Sequence, residues 1–210
     1  MNNEKELFDL YIDRGNARCV LRYPFLQDGK VYATDAHVMI CVGRDLCDGE
    51  YSERPEGLEP PNTSSVIPEP DTDEPLTRRM LEKAMKRAPE ENACECPECK
   101  GGGLVRWEYK DRLYEKHWKI DECPVCSGSG RIDSYTPVTT QFSIHDAYLC
   151  YHHLEVLKQT MNLLQVKTLR LLHVSNSEKL AFLFGVDGKD IRIVVMPQMR
   201  NDGLDKVRII

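Results

Sequence analysis

Two copies of one eight-residue cysteine motif constrain the fold of this 210-residue chain more than any other feature. Each copy reads Cys-x-x-Cys-x-Gly-x-Gly, at Cys96–Gly103 and at Cys123–Gly130. Two residues between the cysteines let both thiolates of a tight turn bind one ion at Zn–S distances of ~2.3 Å, and glycine permits the positive φ angles of such turns. Two turns supply four sulfurs, which form a complete tetrahedral shell. We therefore predict one structural zinc ion per chain, bound by Cys96, Cys99, Cys123 and Cys126.

The segment between the motifs, Leu104 to Asp121, alternates apolar and polar residues and predicts a β-hairpin with one cysteine turn at each base. Two other uses of the cysteines stay open, a redox dithiol and a pair of structural disulfides. Residues Met1 to Glu6 carry charge where a secretory signal has its apolar region, so we expect a reducing, cytoplasmic compartment that favours zinc. Cys94, two residues before the first motif, is a spare thiol that could replace Cys96.

The two motifs resemble the cysteine-rich zinc domain of DnaJ-type co-chaperones, which is built from repeats of the same pattern. The resemblance covers residues 96 to 130. That family carries four repeats and two zinc ions, whereas this chain has two repeats, enough for one ion. No His-Pro-Asp signature of a J-domain occurs in the sequence. The resemblance implies a zinc finger and, as an alternative function, a protein-interaction or chaperone-accessory module.

Charge is distributed unevenly along the chain, whose formal net charge is −6. Residues 48–75 contain nine acidic residues, one basic residue and six prolines, a composition that predicts a solvated linker or surface loop. Residues 76–88 have apolar side chains at helical spacing and predict an amphipathic helix. Its other face is either a solvated surface or a phosphate-binding surface, and it carries Arg78, Arg79, Lys83, Lys86 and Arg87.

The other predicted elements lie on both sides of the cysteine motifs. Before the motifs, apolar patterning and an Asp28-Gly29 reversal predict strands over 19–23, 30–34 and 37–42, the last buried on both faces. After the motifs, we expect a strand over 139–144 and a helix over 147–165 with Asp146 as its N-cap. Short turns then predict an antiparallel meander over 168–174, 179–184 and 190–196.

These elements predict an α+β fold, in which an antiparallel sheet with a packed helix carries an inserted zinc-binding β-hairpin. We expect one domain whose two halves are separated in the sequence. The predicted boundaries are 1–47 for the first half, 48–75 for the acidic linker, 76–93 for the basic helix, 94–131 for the zinc-finger insertion and 132–210 for the second half.

Three short segments resemble the bacterial DNA polymerase III beta sliding clamp. Tyr32–His37 reads Tyr-Ala-Thr-Asp-Ala-His, similar to the Ala-Thr-Asp-Gly-His segment of clamp domains. Phe142–Leu154 is similar to the segment that begins a helix in the last clamp domain, and Val194–Arg200 is similar to the Val-Met-Pro-Met-Arg segment that ends it. The resemblance implies that residues 17–43 and 139–200 form a single DNA-clamp-like domain.

The clamp resemblance also implies partners, namely DNA or a replication or repair protein. In the clamp family the terminal segment helps line a groove for short peptides of polymerases, which here implies Met196, Pro197 and Met199. Trp107 and Trp118 of the predicted hairpin are further candidate contacts. No Gly-rich phosphate loop, nucleophile elbow or catalytic zinc motif occurs, and no apolar run approaches the ~18 residues of a spanning helix. We therefore expect a non-enzymatic binding protein with no membrane partner.

Overall fold

The structure is a computed structural model that describes residues 3–63, 65–88, 94–96, 98–126, 128, 130–132 and 140–210. The chain divides into two compact units. The first, which we call the body, comprises Met1–Ala88 and Thr140–Ile210, and the second, the cysteine unit, comprises Pro89–Thr139. Residues 89–93 of the predicted basic-helix region, residues 97, 127 and 129 of the motifs, and residues 133–139 lie outside the described residues.

The described part of the chain is mainly strands, with three α-helices and several short 3₁₀ helices among them. In chain order they are α1 (Glu4–Asp9), β1 (Phe25–Gln27), β2 (Lys30–Thr34), β3 (Val38–Gly43), β4 (Glu74–Thr77), α2 (Arg78–Met85), β5 (Cys94–Glu95), β6 (Leu104–Lys110), β7 (Lys116–Glu122), β8 (Arg131–Ile132), β9 (Thr140–Ile144), β10 (Ala147–Leu149), α3 (Tyr151–Leu163), β11 (Thr168–His173), β12 (Phe182–Val186), β13 (Lys189–Val195) and β14 (Asp205–Arg208). Strands β5 to β8 belong to the cysteine unit.

A seven-stranded antiparallel sheet joins the two halves of the body, in the order β1-β2-β3-β13-β12-β11-β4. The junction is the pairing of β3 with β13, in which Val38 lies opposite Val195 and Val42 opposite Ile191. The predicted meander is confirmed, since β12 pairs with both β11 and β13. With its packed helices and the separate hairpin β6-β7, the structure confirms the predicted α+β class.

The body core lies on both faces of this sheet. One buried cluster combines residues of all three helices, such as Leu7, Leu81 and Leu157, with alternate strand residues such as Ile40 and Ile193. A smaller cluster covers the other face and contains Phe25, Tyr32, Met39, Cys41, Ala181, Leu183 and Val194. Every residue of β3 is buried, as its continuous apolar run predicts.

The predicted strand over 19–23 is wrong, because Cys19–Arg22 forms a 3₁₀ helix. The Asp28-Gly29 reversal is confirmed, with φ angles of 49° and 72°, and it pairs Gln27 with Lys30. The strand that precedes the turn is therefore β1, and its ladder ends at Phe25 because Pro24 has no N–H to donate.

The predicted start of the long helix is also wrong. Residues His145 and Asp146 form a two-residue turn, with His145 at φ 50°, and Ala147–Leu149 returns as β10 along β9. Helix α3 begins at Tyr151, after Cys150, and the Cys150 N–H donates to His153 Nδ1 at 3.5 Å. Asp146 is therefore a turn residue and not the N-cap.

Strand β9 does not join the meander but forms a three-stranded sheet with β10 and β14. Strand β14, which pairs parallel to β9, was not predicted from the sequence. The basic helix α2 begins two residues later than expected, because Leu76 pairs with Leu169 in β4. The Thr77 hydroxyl then accepts the Met80 N–H at 3.3 Å and caps the helix.

The acidic segment has little regular structure among its described residues, but it is attached to the body. The N–H groups of Asp71 and Thr72 both donate to the Leu172 carbonyl, at 2.8 and 3.1 Å. Asp71 Oδ2 lies 2.7 Å from the Nδ1 of buried His173. The acidic segment therefore packs along the sheet and is not detached from it. None of the described helices is long and apolar enough to cross a membrane.

Acidification is expected to destabilise the body through His153, a buried side chain in the first turn of α3. Desolvation lowers the pKa of His153 to about 4, and the charges of His152 and His37 act in the same direction against Asp35. As the pH falls below the pKa of about 6.5 in the unfolded chain, that chain binds a proton that folded His153 excludes. The free energy of unfolding should therefore fall by about 3 kcal/mol between pH 7 and pH 4.

Urea unfolding monitored by far-UV circular dichroism at several pH values measures this loss. The variant His153→Gln keeps a side-chain acceptor for the Cys150 N–H but has no proton to gain. It should show a shallower pH dependence than the wild type, and equal slopes for both proteins would contradict the assignment.

Candidate functional site

Four cysteine sulfurs converge at the base of the β6-β7 hairpin. The Sγ atoms of Cys96, Cys99, Cys123 and Cys126 all lie within 4.8 Å of one another. Two of these distances join the two motifs, at 3.7 Å for Cys96–Cys123 and 3.7 Å for Cys99–Cys126. A disulfide needs ~2.05 Å, whereas the edge of a tetrahedron with Zn–S bonds of ~2.3 Å is ~3.8 Å. The arrangement therefore fits a four-thiolate shell and could hold a metal ion.

The two motifs hold each other through reciprocal backbone hydrogen bonds. The Cys96 N–H donates to the Gly130 carbonyl at 3.0 Å, and the Cys123 N–H donates to the Gly103 carbonyl at 2.8 Å. The last glycine of each motif also donates its N–H to the second cysteine of the same motif, Gly103 to Cys99 Sγ at 3.2 Å and Gly130 to Cys126 Sγ at 3.3 Å. Such N–H groups orient thiolate ligands and stabilise their charge.

The same glycines let the two backbones approach closely. Gly103 and Gly130 have φ angles of 71° and 73°, in the left-handed region. A Cβ on Gly103 would lie 2.3 Å from the Gly128 carbonyl oxygen, and one on Gly130 would lie 2.2 Å from that of Gly101. Because both the φ angle and the contact exclude a side chain, the pairing of the turns requires glycine as the last residue of each motif.

The surroundings of the cluster shift the pKa values of two of its thiols in opposite directions. Desolvation, together with hydrogen bonds to the other sulfurs, raises the pKa of Cys99 to about 11. Desolvation also acts on Cys126, but the Gly130 N–H and the hydrogen bonds of the neighbouring thiols outweigh it and lower the pKa to about 7. A metal ion would displace the remaining protons, so metal binding by this donor set should weaken as the pH falls.

The hairpin above the cluster presents large side chains to solvent. Strands β6 and β7 pair over seven positions, from Leu104 opposite Glu122 to Lys110 opposite Lys116. Trp107 and Trp118 are 48% and 61% exposed, and their cross-strand pairing places them on opposite faces. Both predicted contact residues are therefore accessible, but no single face contains both.

A second candidate site is an apolar groove of about 200 Å³ on the body, on the sheet face opposite the helices. Two of the segments that resemble the clamp family meet there, because the Met196 N–H donates to the His37 carbonyl at 2.8 Å. Met196 lines the groove, whereas neither Pro197 nor Met199 is among its lining residues. Several lining residues were not predicted from the sequence, since only folding brings them together: Arg18, Leu21, Met39, Pro61, Val66 and Val194.

The groove wall formed by the Thr34–Val38 turn is held by side chains of the turn itself. Asp35 Oδ1 accepts the N–H groups of His37 and Val38, at 2.7 and 2.8 Å. The Thr34 hydroxyl accepts the Ala36 N–H at 3.0 Å and donates to the Val38 carbonyl at 2.8 Å. Ala36 has a φ of 83°, in the left-handed region, at the position where the resembling clamp segment has glycine.

The predicted basic face of α2 is exposed. Arg78 pairs with Glu82 at 3.0 Å. The remaining four cations form no ion pair within the part of the chain that the structure describes, and they are Arg79, Lys83, Lys86 and Arg87. This face could bind phosphate groups, although it is equally compatible with simple hydration.

Neither protein-family models nor curated proteins match this sequence. Solved structures that align with it are beta chains of DNA polymerase III. The beta subunit from Thermotoga maritima is 13% identical, with a TM-score of 0.49, over 94% of this chain and 63% of that chain. The beta clamp of Helicobacter pylori bound to a DNA ligase peptide is 11% identical, with a TM-score of 0.45, over 93% and 62%. The beta chain of Streptococcus pneumoniae is 10% identical, with a TM-score of 0.46, over 93% and 62%.

This chain therefore spans less than two thirds of the length of these three beta chains. They are the class of protein that the segments around His37, Phe142 and Met196 resemble.

Proposed function

We propose that this protein is a non-enzymatic, zinc-binding interaction protein, whose clamp-like body binds DNA or a replication or repair protein. The observation that carries the proposal is the apolar groove, where the His37 and Met196 segments meet. These segments are distant in sequence, and each was assigned to a clamp-like domain from its own residues. Their convergence on one accessible, apolar surface is what a peptide-binding role requires.

The groove is suited to a short peptide with an apolar side chain. Its wall and floor combine Leu21, Val66, Val194 and Met196 with the fixed turn at Thr34. Met196 adds a flexible thioether that can adjust to a bound side chain. Because the turn is already hydrogen-bonded, binding should require little ordering of the backbone.

The zinc ion and the basic helix have separate roles in this proposal. One structural zinc per chain, held by the four cysteines, would keep the hairpin rigid enough to contact a partner. The cations of α2 and of the residue that follows it, chiefly Arg79, Lys83 and Lys86, would contact phosphate groups if the body meets DNA. The domain boundaries predicted from the sequence are part of the same proposal, with 94–131 as the zinc-finger insertion between the halves 1–47 and 132–210.

A second candidate function is a protein-interaction or chaperone-accessory module, in which the DnaJ-like finger holds extended client proteins. The observation that favours it is the exposure of Leu113, Tyr114, Trp118 and Ile120 on the hairpin. Client binding through such apolar side chains should survive high salt, whereas phosphate contacts should weaken steeply as salt rises. Salt dependence therefore distinguishes the two functions.

The substitution Met196→Ala is expected to weaken peptide binding to the groove about 10-fold, because it removes an apolar side chain from the groove lining. The probe is the DNA ligase peptide that is bound to the Helicobacter pylori beta clamp. It is labelled with fluorescein and titrated with the full-length protein, and fluorescence anisotropy measures binding. Met199→Ala is the matched control, since Met199 is 91% exposed and does not line the groove.

Binding that is lost in Met196→Ala and retained in Met199→Ala would support the groove. Equal affinities for the wild type and Met196→Ala, or no binding by either, would argue against it.

A further inference from the structure

The strand pairing of the hairpin sorts its side chains into two faces of different charge. Cross-strand partners share a face, and alternate residues of one strand do too. One face, which we call the lysine face, carries Arg106, Glu108, Lys110, Lys116, Trp118 and Ile120, with Leu104 and Glu122 at its base. The other, the Trp107 face, carries Val105, Trp107, Tyr109, His117, Lys119 and Asp121.

The cations of the Trp107 face have acidic partners. Lys119 Nζ lies 2.6 Å from Asp121 Oδ2. His117 Nε2 lies 2.9 Å from Asp111 Oδ2, and its ring stacks on Tyr109 with the centroids 5.1 Å apart. This face therefore offers little free positive charge to an anionic ligand.

The lysine face has free cations at its tip. Lys110 and Lys116 lie directly opposite each other, and neither has an acidic partner within the described residues. Like charges in this position repel and destabilise a hairpin, so a bound anion there would relieve the repulsion. The tip is held in shape by Asp111 Oδ1, which accepts the N–H groups of Leu113 and Glu115 at 2.8 and 3.0 Å.

An aromatic platform lies next to these lysines on the same face. Trp118 is two residues from Lys116 along β7, and the Arg106 guanidinium lies 4.8 Å from the Trp118 ring centroid. Arg106 is also held by Glu108 at 3.0 Å. An exposed indole beside a positioned guanidinium is a surface on which unpaired bases stack.

We propose that the lysine face of the hairpin binds a single-stranded nucleic acid, with bases stacked on Trp118 and phosphates at Lys110 and Lys116. A duplex is disfavoured because its bases are already stacked and would not reach the indole ring. An acidic peptide would satisfy the lysines but would leave the Trp118–Arg106 platform unused. This inference names a partner for the finger in the proposed function, so it rests on a metal-held hairpin but not on the body groove.

The test uses full-length, zinc-loaded protein and a fluorescein-labelled single-stranded oligodeoxynucleotide of mixed sequence, with anisotropy as the readout. Trp118→Ala should weaken binding about 10-fold, and Trp107→Ala, the matched control on the other face, by less than about twofold. Replacing both Lys110 and Lys116 with Gln should reduce the slope of log affinity against log salt by about 1.4, as expected for two lost phosphate contacts on a single strand.

Three results would overturn the inference: no binding by the wild type, equal losses in Trp118→Ala and Trp107→Ala, or equally strong competition by polyaspartate. Equal competition by the duplex of the same sequence would overturn the single-strand preference. Met196→Ala separates the two proposals, because it should bind the oligonucleotide like the wild type. Protein that binds the oligonucleotide but not the peptide would contradict the groove proposal alone. Protein that binds the peptide but not the oligonucleotide would contradict the lysine-face proposal alone.

Discussion

Replacing Cys123 with serine is expected to remove the metal ion and unfold the cysteine unit, while the body stays folded. Among the described residues of this unit, the buried cluster consists of Cys96, Cys123 and Cys126, with Cys99 and Val105 packed against it. Such a cluster buries far too little apolar surface to fold a segment of this size. A structural zinc ion contributes an apparent ~10–16 kcal/mol in small zinc-binding domains, so losing it should abolish folding of the unit.

Two measurements on one sample test this expectation. Zinc content by mass spectrometry should fall from one ion per chain to none. The chain has two tryptophans, Trp107 and Trp118, so intrinsic tryptophan fluorescence reports on the hairpin alone. Its emission should shift to that of free tryptophan in water, while the far-UV circular dichroism melt of the body changes little.

The matched control is Cys94→Ser, which changes a thiol two residues before the first motif. It should keep both the zinc ion and the native tryptophan emission. Zinc retained by Cys123→Ser, or lost by Cys94→Ser, would contradict the assignment of ligands. Readily formed disulfides without any zinc would instead favour the redox interpretation of the motifs.

The features predicted correctly from the sequence are those set by residues close together in the chain. The Asp28-Gly29 turn, the β6-β7 hairpin and the meander each follow from a local pattern. The incorrect secondary-structure predictions occur where a turn interrupts a longer periodic pattern of apolar residues. Residues 147–149 fit a helical stripe, but the two-residue turn at His145 and Asp146 pairs Leu149 with Phe142 and delays the helix.

The groove could be predicted only in part, for a different reason. The His37 and Met196 segments were each recognisable, yet nothing in either segment specifies that β3 pairs with β13. Leu21 and Val66 join the groove from an unpredicted 3₁₀ helix and from an acidic segment expected to be a linker. Assembly of this surface is a tertiary event, and it depends on sheet order rather than on local propensity.

The substitution Gly103→Ala is expected to weaken metal binding about 10- to 100-fold, although it changes no ligand. Its Cβ would lie 2.3 Å from the Gly128 carbonyl oxygen, and a φ of 71° already strains any residue with a side chain. Relieving this close contact requires the two turns to separate. The separation lengthens the Cys123–Gly103 hydrogen bond of 2.8 Å and moves the Cys99 sulfur away from the Gly103 N–H that donates to it.

Gly102→Ala is the control for this substitution. Gly102 has no positive φ, and the nearest atom to its added Cβ would be the Cys99 carbonyl oxygen, at 3.2 Å. Competition with a chromophoric chelator measures both zinc affinities, and similar affinities for the two variants would contradict the argument. The expected difference would show that Gly103, the last residue of the motif, is restricted to glycine by its surroundings, whereas Gly102, at a variable position of the motif, is not. The first motif's eighth residue must be glycine because the second motif's backbone occupies the space of its side chain, and the reverse holds at Gly130. The backbone of each motif is therefore constrained by the other copy as well as by its own cysteine turn.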